Sequence, residues 1–195
     1  MNDPRASEAK ALHRTTARAA RSGLANEARA AAAWAVVERA LALPGVRDAR
    51  AVLAYAATPE ELDPCPLVAA LRARGARIAY PRVCGPAALA LHWCEDERDL
   101  APGYCGIAEP SESASAADPH EIELVLVPGT AFDEACGRLG MGGGFYDRLL
   151  TRLGPEALAV GLAFDEQLVA EVPAETHDVP LSAVVTPTRT ILPRA

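Results

Sequence analysis

Apolar and polar positions change their spacing along this chain, and the changes mark out its elements. Residues 4–43 are Ala-rich, with Arg and Glu at helical spacing. Gly23 and Asn26 interrupt them, which predicts two helices, near 5–21 and 26–42. Leu43-Pro44-Gly45 stops the second. Residues 50–57 form an apolar run of strand length, Pro64 to Gly75 a helix closed by glycine, and Arg77 to Val83 the next strand. That strand–helix–strand unit has the length a right-handed parallel crossover needs. Leu89 to Cys94 alternates and predicts an edge strand. Residues 95–120 are polar and rich in Ser, Pro and Gly, the composition of a long connector, with 111–117 a low-complexity patch. Glu123 to Val127 and Leu158 to Phe164 are almost wholly apolar, as strands covered on both faces are. Ala183 to Val185 begins a third such strand. Helices are expected between them, near 143–153 and 165–171. Strands alternating with helices predict the α/β class: a three-layer α/β/α sandwich with a mostly parallel, Rossmann-like sheet. Residues 1–195 read as one domain, with the helical segment 1–45 packed on the α/β core.

Charge and composition narrow the function. The chain has 195 residues, half of them apolar, and a net charge of −7. That acidic balance counts against a general nucleic-acid binder, which needs a basic face. It leaves room for a local basic pocket. No apolar run approaches the ~18 residues of a membrane helix. The first residues, MNDPRASEAK, have no secretory apolar core, so a cytoplasmic setting is expected. The five cysteines are odd in number and form no C-x-x-C pair, which suits reduced thiols. No His/Cys spacing matches a structural zinc site. His13, His92 and His120 have no partner pattern, and Trp34 and Trp93 read as core residues. Of the 19 basic residues one is lysine, Lys10; the rest are arginine.

The most informative segment runs from Pro128 to Leu150, PGTAFDEACGRLGMGGGFYDRLL. It follows the most apolar strand and opens a helix whose apolar face is Tyr146, Leu149, Leu150 and Leu153. Ligands of open α/β sheets bind beyond the carboxyl ends of strands. Gly140, Gly142, Gly143 and Gly144 let backbone approach a ligand closely, and their N–H groups with those of the following helix suit an anion. Arg138 and Arg148 add charge. The segment is neither a Walker loop nor G-x-G-x-x-G, since Phe145 stands at the sixth position of the latter. Asp147, in the helix's first turn, complements the helix dipole or ligates Mg²⁺ beside phosphates.

The segment VPGTAFDEACGRLGMGGGFYDRLL resembles the signature of the 5-formyltetrahydrofolate cyclo-ligase family, also called 5,10-methenyltetrahydrofolate synthetase. Lys10 with Arg14, Glu61-Leu62-Asp63, Tyr80-Pro81-Arg82, Gly106-Ile107-Ala108-Glu109-Pro110, Gly161 to Gln167, Val172-Pro173 and His177-Asp178 match further family elements in order. The resemblance spans nearly the whole chain. Departures are the Cys136-Gly137-Arg138 spacing, Phe145 for a usual Tyr, Ala56 for a bulkier residue and Pro64 for Thr.

The resemblance implies ATP- and Mg²⁺-dependent closure of 5-formyltetrahydrofolate to 5,10-methenyltetrahydrofolate, with ADP and phosphate released, by a cytoplasmic monomer that needs neither nucleic acid nor membrane. It implies that ATP is held by Lys10, Arg14, Arg138, Leu139, Gly140, Met141, Gly142, Gly143, Gly144, Phe145 and Tyr146. Ala56, Glu61, Met141 and Phe145 would contact the folate, and Asp147 and Asp178 the metal. Plainer roles stand beside these. Arg14 suits a solvated charge on an Arg-rich helix, Glu61 a helix-start acid, and Asp178 a turn cap beside His177. A non-catalytic nucleotide- or folate-binding paralogue, or another phosphate-sugar or CoA enzyme on a related fold, is the competing reading.

Overall fold

The computed structural model describes residues 4–86, 88–175 and 178–193, with side chains from Lys10 onward. His177 lies outside the described residues. In chain order the helices are α1 (Pro4–Ser22), α2 (Asn26–Leu41), α3 (Cys65–Arg72) and α4 (Phe145–Leu150). The strands are β1 (Ala51–Leu53), β2 (Arg77–Gly85), β3 (Ala88–Trp93), β4 (Ala101–Pro102), β5 (Ala108–Glu109), β6 (Ala116–Ala117), β7 (Leu124–Val127), β8 (Ala131–Phe132), β9 (Arg138–Leu139), β10 (Leu158–Leu162), β11 (Ala183–Val185) and β12 (Thr190–Ile191).

Eight strands form the main sheet in the order β12-β11-β10-β7-β1-β2-β3-β6. The pairings β1–β2, β1–β7, β7–β10 and β10–β11 are parallel; those of β3 with β2 and β6, and of β12 with β11, are antiparallel. The most apolar segment, β7, sits between β1 and β10, and all four of its residues are buried. Alternation splits it: Leu124 and Leu126 join one core with Val36, Ala40, Leu67 and Leu71 of α2 and α3. Val125 and Val127 join the other, with Phe132, Leu149 and Leu150 of the α4 side. Burial on both faces is the three-layer arrangement that the apolar strands predict. A small third cluster joins Ala17 of α1 to Ala131, Leu139 and Val172.

Several expected elements are shorter or placed differently. The strand predicted at 50–57 ends at Leu53, and the chain then bends so that the Tyr55 hydroxyl donates to the Leu62 carbonyl at 2.5 Å. The helix predicted at 143–153 spans only Phe145–Leu150, because Gly144 takes a left-handed φ of 62° that no helix continues through. At 165–171 there is one 3-10 turn, Asp165–Gln167, instead of a helix. There the buried Gln167 amide donates to the Gly129 and Thr130 carbonyls, while Val169 N–H donates to the Phe132 carbonyl. These long-range bonds replace the local i→i−4 ladder. The Leu89–Cys94 strand is not the sheet's edge, since β6 covers it. The 95–120 connector is thus partly regular: β4 and β5 pair with each other and β6 extends the sheet.

Candidate active site

The site grows from the carboxyl end of β7. Beyond it, β8 and β9 form a hairpin whose turn is tied by the buried Asp133 carboxylate. Its Oδ1 accepts from Ala135 N–H at 3.0 Å and Gly137 N–H at 2.8 Å, and its Oδ2 accepts from Val172 N–H at 2.8 Å. Position 137 must be glycine for this: a Cβ would stand 2.8 Å from Asp133 Oδ2. Cys136 beside it is buried at a φ of 61°, uncommon outside glycine. The altered spacing before Arg138 therefore belongs to a tight, internally bonded turn. Neither the Asp133 ties nor the acid Glu175 is marked by any periodicity in the sequence.

From β9 the chain enters the glycine loop. Gly142, with a φ of 105°, and Gly144 take backbone shapes that side chains disfavour. Loop and α1 face each other: Arg14 Nε donates to the Gly140 carbonyl at 2.9 Å. Arg148 donates to the Gly143 carbonyl. Arg138, its side chain 4% exposed, pairs with Asp147 at 2.7 Å and lies 5.8 Å from the Tyr146 ring centroid. Because α4 is only six residues long, its dipole adds little, and the cations and loop N–H groups carry the anion-binding character. Arg14 is thus no free solvated charge.

One turn before Arg14 on α1, Lys10 is buried with its Nζ 2.6 Å from Glu175 and 3.0 Å from Asp178. Burial works against its charge, but hydrogen bonds and attraction from the two carboxylates outweigh it and hold the ammonium above the ordinary lysine range. Asp178 Oδ2 also accepts from Glu175 N–H at 2.8 Å. Each predicted metal ligand therefore has a cation: Asp147 has Arg138, and Asp178 has Lys10. Glu175 and Asp178 sharing one ammonium leave net negative charge and hard oxygen donors, the donor type that suits Mg²⁺. Among the described residues no group of three or more His, Cys, Asp or Glu forms a ready-made metal cluster. Arg21, which no sequence motif signals, lies on the same stripe of α1 and is 2% exposed. It reaches the Gly129 carbonyl and Glu60, each at 3.4 Å. Arg21 Nε, Thr130 Oγ1 and Arg138 Nε are buried with no hydrogen-bond partner.

A cavity of about 570 Å³ adjoins this end of the sheet, lined among others by Trp34, Tyr55, Ala56, Glu61 and Asp63. Glu61 accepts from Thr58 N–H at 2.9 Å. Burial and then the Glu61 charge push both the Tyr55 and Tyr146 hydroxyls up, with Arg138 opposing at Tyr146. Glu61 thus acts on residues of both the cavity and the glycine segment. Cys65, on the cavity wall, is pushed up to about 12 by burial and then by Asp63, which disfavours its thiolate. Met141 is 59% exposed, and Phe145 lies 6.0 Å from the Tyr104 ring, centroid to centroid. Of the expected folate contacts, then, Ala56 and Glu61 line the cavity, while Met141 and Phe145 stay on the loop. Trp34, expected in the core, is 66% exposed on the cavity rim.

The chain is similar to known proteins over most of its length. The profile of the 5-formyltetrahydrofolate cyclo-ligase family matches residues 6–187. The 5-formyltetrahydrofolate cyclo-ligase of Mycolicibacterium smegmatis is 35% identical over 148 residues, 73% of this chain and 76% of that one. The Escherichia coli enzyme of the same name is 36% identical over 156 residues, 77% of this chain and 85% of its own. The solved structure of Aquifex aeolicus 5,10-methenyltetrahydrofolate synthetase superposes with a TM-score of 0.82 at 30% identity, covering 95% of this chain and 93% of that one. A cation-lined glycine loop beside an acidic cavity, on a chain matched over nearly its whole length, leads to one conclusion: the chain belongs to the 5-formyltetrahydrofolate cyclo-ligase family, and it is a ligase.

Proposed function

We propose that this ligase uses ATP and Mg²⁺ to close 5-formyltetrahydrofolate to 5,10-methenyltetrahydrofolate, releasing ADP and phosphate, as a monomer in the cytoplasm. The observation that carries the reading is the meeting of Lys10 and Arg14, one turn apart on α1, with the acid pair Glu175/Asp178 and the glycine loop. No described helix is long and apolar enough to cross a membrane.

A formyl oxygen on nitrogen leaves poorly. Transfer of the γ-phosphoryl group to that oxygen converts it to phosphate. The neighbouring folate nitrogen then attacks the formyl carbon and gives up its proton. The C–O bond breaks and the oxygen departs with the phosphate. Such chemistry asks for positioning and charge stabilisation, not a side-chain nucleophile. Lys10 and Arg14 hold the phosphate chain from the α1 side, and Arg138 and the loop from Leu139 to Tyr146 hold it from the other. Glu61 orients the folate head from the cavity. Asp147 and Asp178 are the residues that would hold Mg²⁺, which would supply charge neutralisation at the phosphoryl group.

The test is optical. Purified protein with Mg-ATP and 5-formyltetrahydrofolate should develop the near-ultraviolet absorbance of the methenyl product, and omission of ATP should abolish it. A flat trace with folded protein overturns the reading.

A further inference from the structure

The cavity beside Glu61 is lopsided in charge. Glu61 and Asp63 stand on the segment between β1 and α3, and Glu97 is already committed to Arg72 at 2.6 Å and Tyr80 at 3.1 Å. From α2 the lining takes Arg29 and Trp34. Arg29 is the one basic side chain among the described residues lining the cavity. Its guanidinium is held in place by the chain itself. Nε donates to the Leu24 carbonyl at 3.1 Å, Nη2 donates to the Arg21 carbonyl, and the group stands 5.4 Å from the Phe164 ring centroid. Nη1 is buried without a partner. Five residues on, Trp34 presents a large apolar ring at the rim, and the hydrophobic core does not account for it. A volume of about 570 Å³ is the size of a small-molecule site, not of a packing gap.

We propose that α2 is the wall for the tail of the substrate: Trp34 packs on the p-aminobenzoyl ring, and Arg29 meets a carboxylate of the glutamyl group. The inference rests on the folate reading of this site. The two ends of such a ligand differ in sign. The ring head presents N–H donors, which carboxylates accept, and the tail presents carboxylates, which a fixed guanidinium binds. The charges of the cavity therefore set the direction in which the substrate lies, head against Glu61 and Asp63, tail along α2. Arg29 and Trp34 are specificity residues in this scheme and touch no reacting atom.

Steady-state kinetics with two substrates test it: 5-formyltetrahydrofolate, and 5-formyltetrahydropteroate, which keeps the aromatic ring and lacks the glutamate. Wild type should prefer the glutamate-bearing substrate by roughly tenfold in KM, the effect of one charge-assisted contact. Arg29→Met should erase that preference while kcat and the KM for ATP hold. Trp34→Ala, at an exposed position, should raise KM for both substrates alike, by roughly threefold. Equal wild-type KM values, a preserved preference in folded Arg29→Met, or unchanged KM values in Trp34→Ala would each overturn the tail assignment while the enzyme still turns over. Failure of wild type to close either substrate marks the separate failure of the folate reading, and takes this inference with it. Should Arg29→Met not fold, the wild-type comparison and Trp34→Ala still decide.

Discussion

Around the glycine loop Lys10 and the Arg138 side chain are buried and Arg14 is half-buried, and each has a partner: Lys10 with Glu175 and Asp178, Arg138 with Asp147, Arg14 with the Gly140 carbonyl. Across from it, the cavity beside Glu61 carries one arginine against carboxylates, framed by Trp34, Tyr55 and Tyr80. The two regions adjoin through Glu61, whose charge is felt by Tyr55 on one side and Tyr146 on the other. Ion pairs keep arginine and lysine in place there, and under the proposed function an arriving phosphate with its metal would exchange one set of partners for another. A cavity with aromatic walls and separated charges instead selects an organic ligand with a donor end and an acid end. Under the proposed function phosphate chemistry belongs to the first region and substrate shape to the second, and variants should divide the same way.

The largest effect is expected at Asp147. Asp147→Ala removes the carboxylate proposed to hold the metal and leaves Arg138 without its partner in that pair. Turnover should fall by ~10²-fold or more, the scale of losing several kcal/mol of charge stabilisation. Circular dichroism should show the fold retained. Asp147→Asn, which keeps a hydrogen-bond acceptor for Arg138, should be as inactive, and normal Mg²⁺-dependent turnover in either variant breaks the metal assignment.

Lys10→Arg comes next. It preserves charge, yet the ammonium sits within 3.0 Å of two carboxylates at a position 8% exposed. A compact point charge fits there, and a planar fork does not. The KM for ATP should rise roughly tenfold, with the KM for the folate unchanged. A rise in folate KM instead would mean that the two regions are not separable. Wild-type ATP kinetics would return the chain's one lysine to an accident of an arginine-rich composition.

How much of this was legible beforehand depends on whether a residue's role is local. The LVLV run of β7 declares its burial by composition, and Leu149 and Leu150 declare the α4 face by spacing. Lys10 and the glycine loop stood out as residues, by rarity and by density. Their partners did not stand out by pattern: Asp178 enters only through the family resemblance and Glu175 not at all, since they lie 168 and 165 positions from Lys10 in a polar tail without period. The 165–171 segment has helical composition, but Gln167 gives its amide to two loop carbonyls, a tertiary choice that no local pattern records. Two alanines are too few to announce β6. Trp34 in an Ala-rich helix reads as core because only the packing of α2 decides which of its faces meets the sheet.

The smallest expected effect concerns the thiol on the acidic wall. In the folded chain Cys65 is raised from 9.0 to about 12, by burial first and then by Asp63. At pH 8.5 it should therefore hold almost no thiolate, although the residue itself lies at the surface. Cys84 and Cys105 are also exposed and free. Iodoacetamide at that pH should label both before Cys65, as read by peptide mass spectrometry over time. The linkage has a sign: because the folded value lies above the unfolded one, the protonated thiol's contribution to stability is present below about pH 9 and is lost as pH rises toward 12. Asp63→Asn removes one of the charges responsible, so it should bring Cys65 labelling forward without touching ATP kinetics. Equal labelling in both proteins would mean that the carboxylates of this wall are screened from the cavity, and the division of the site into a phosphate end and an acid-lined organic end would lose its electrostatic basis.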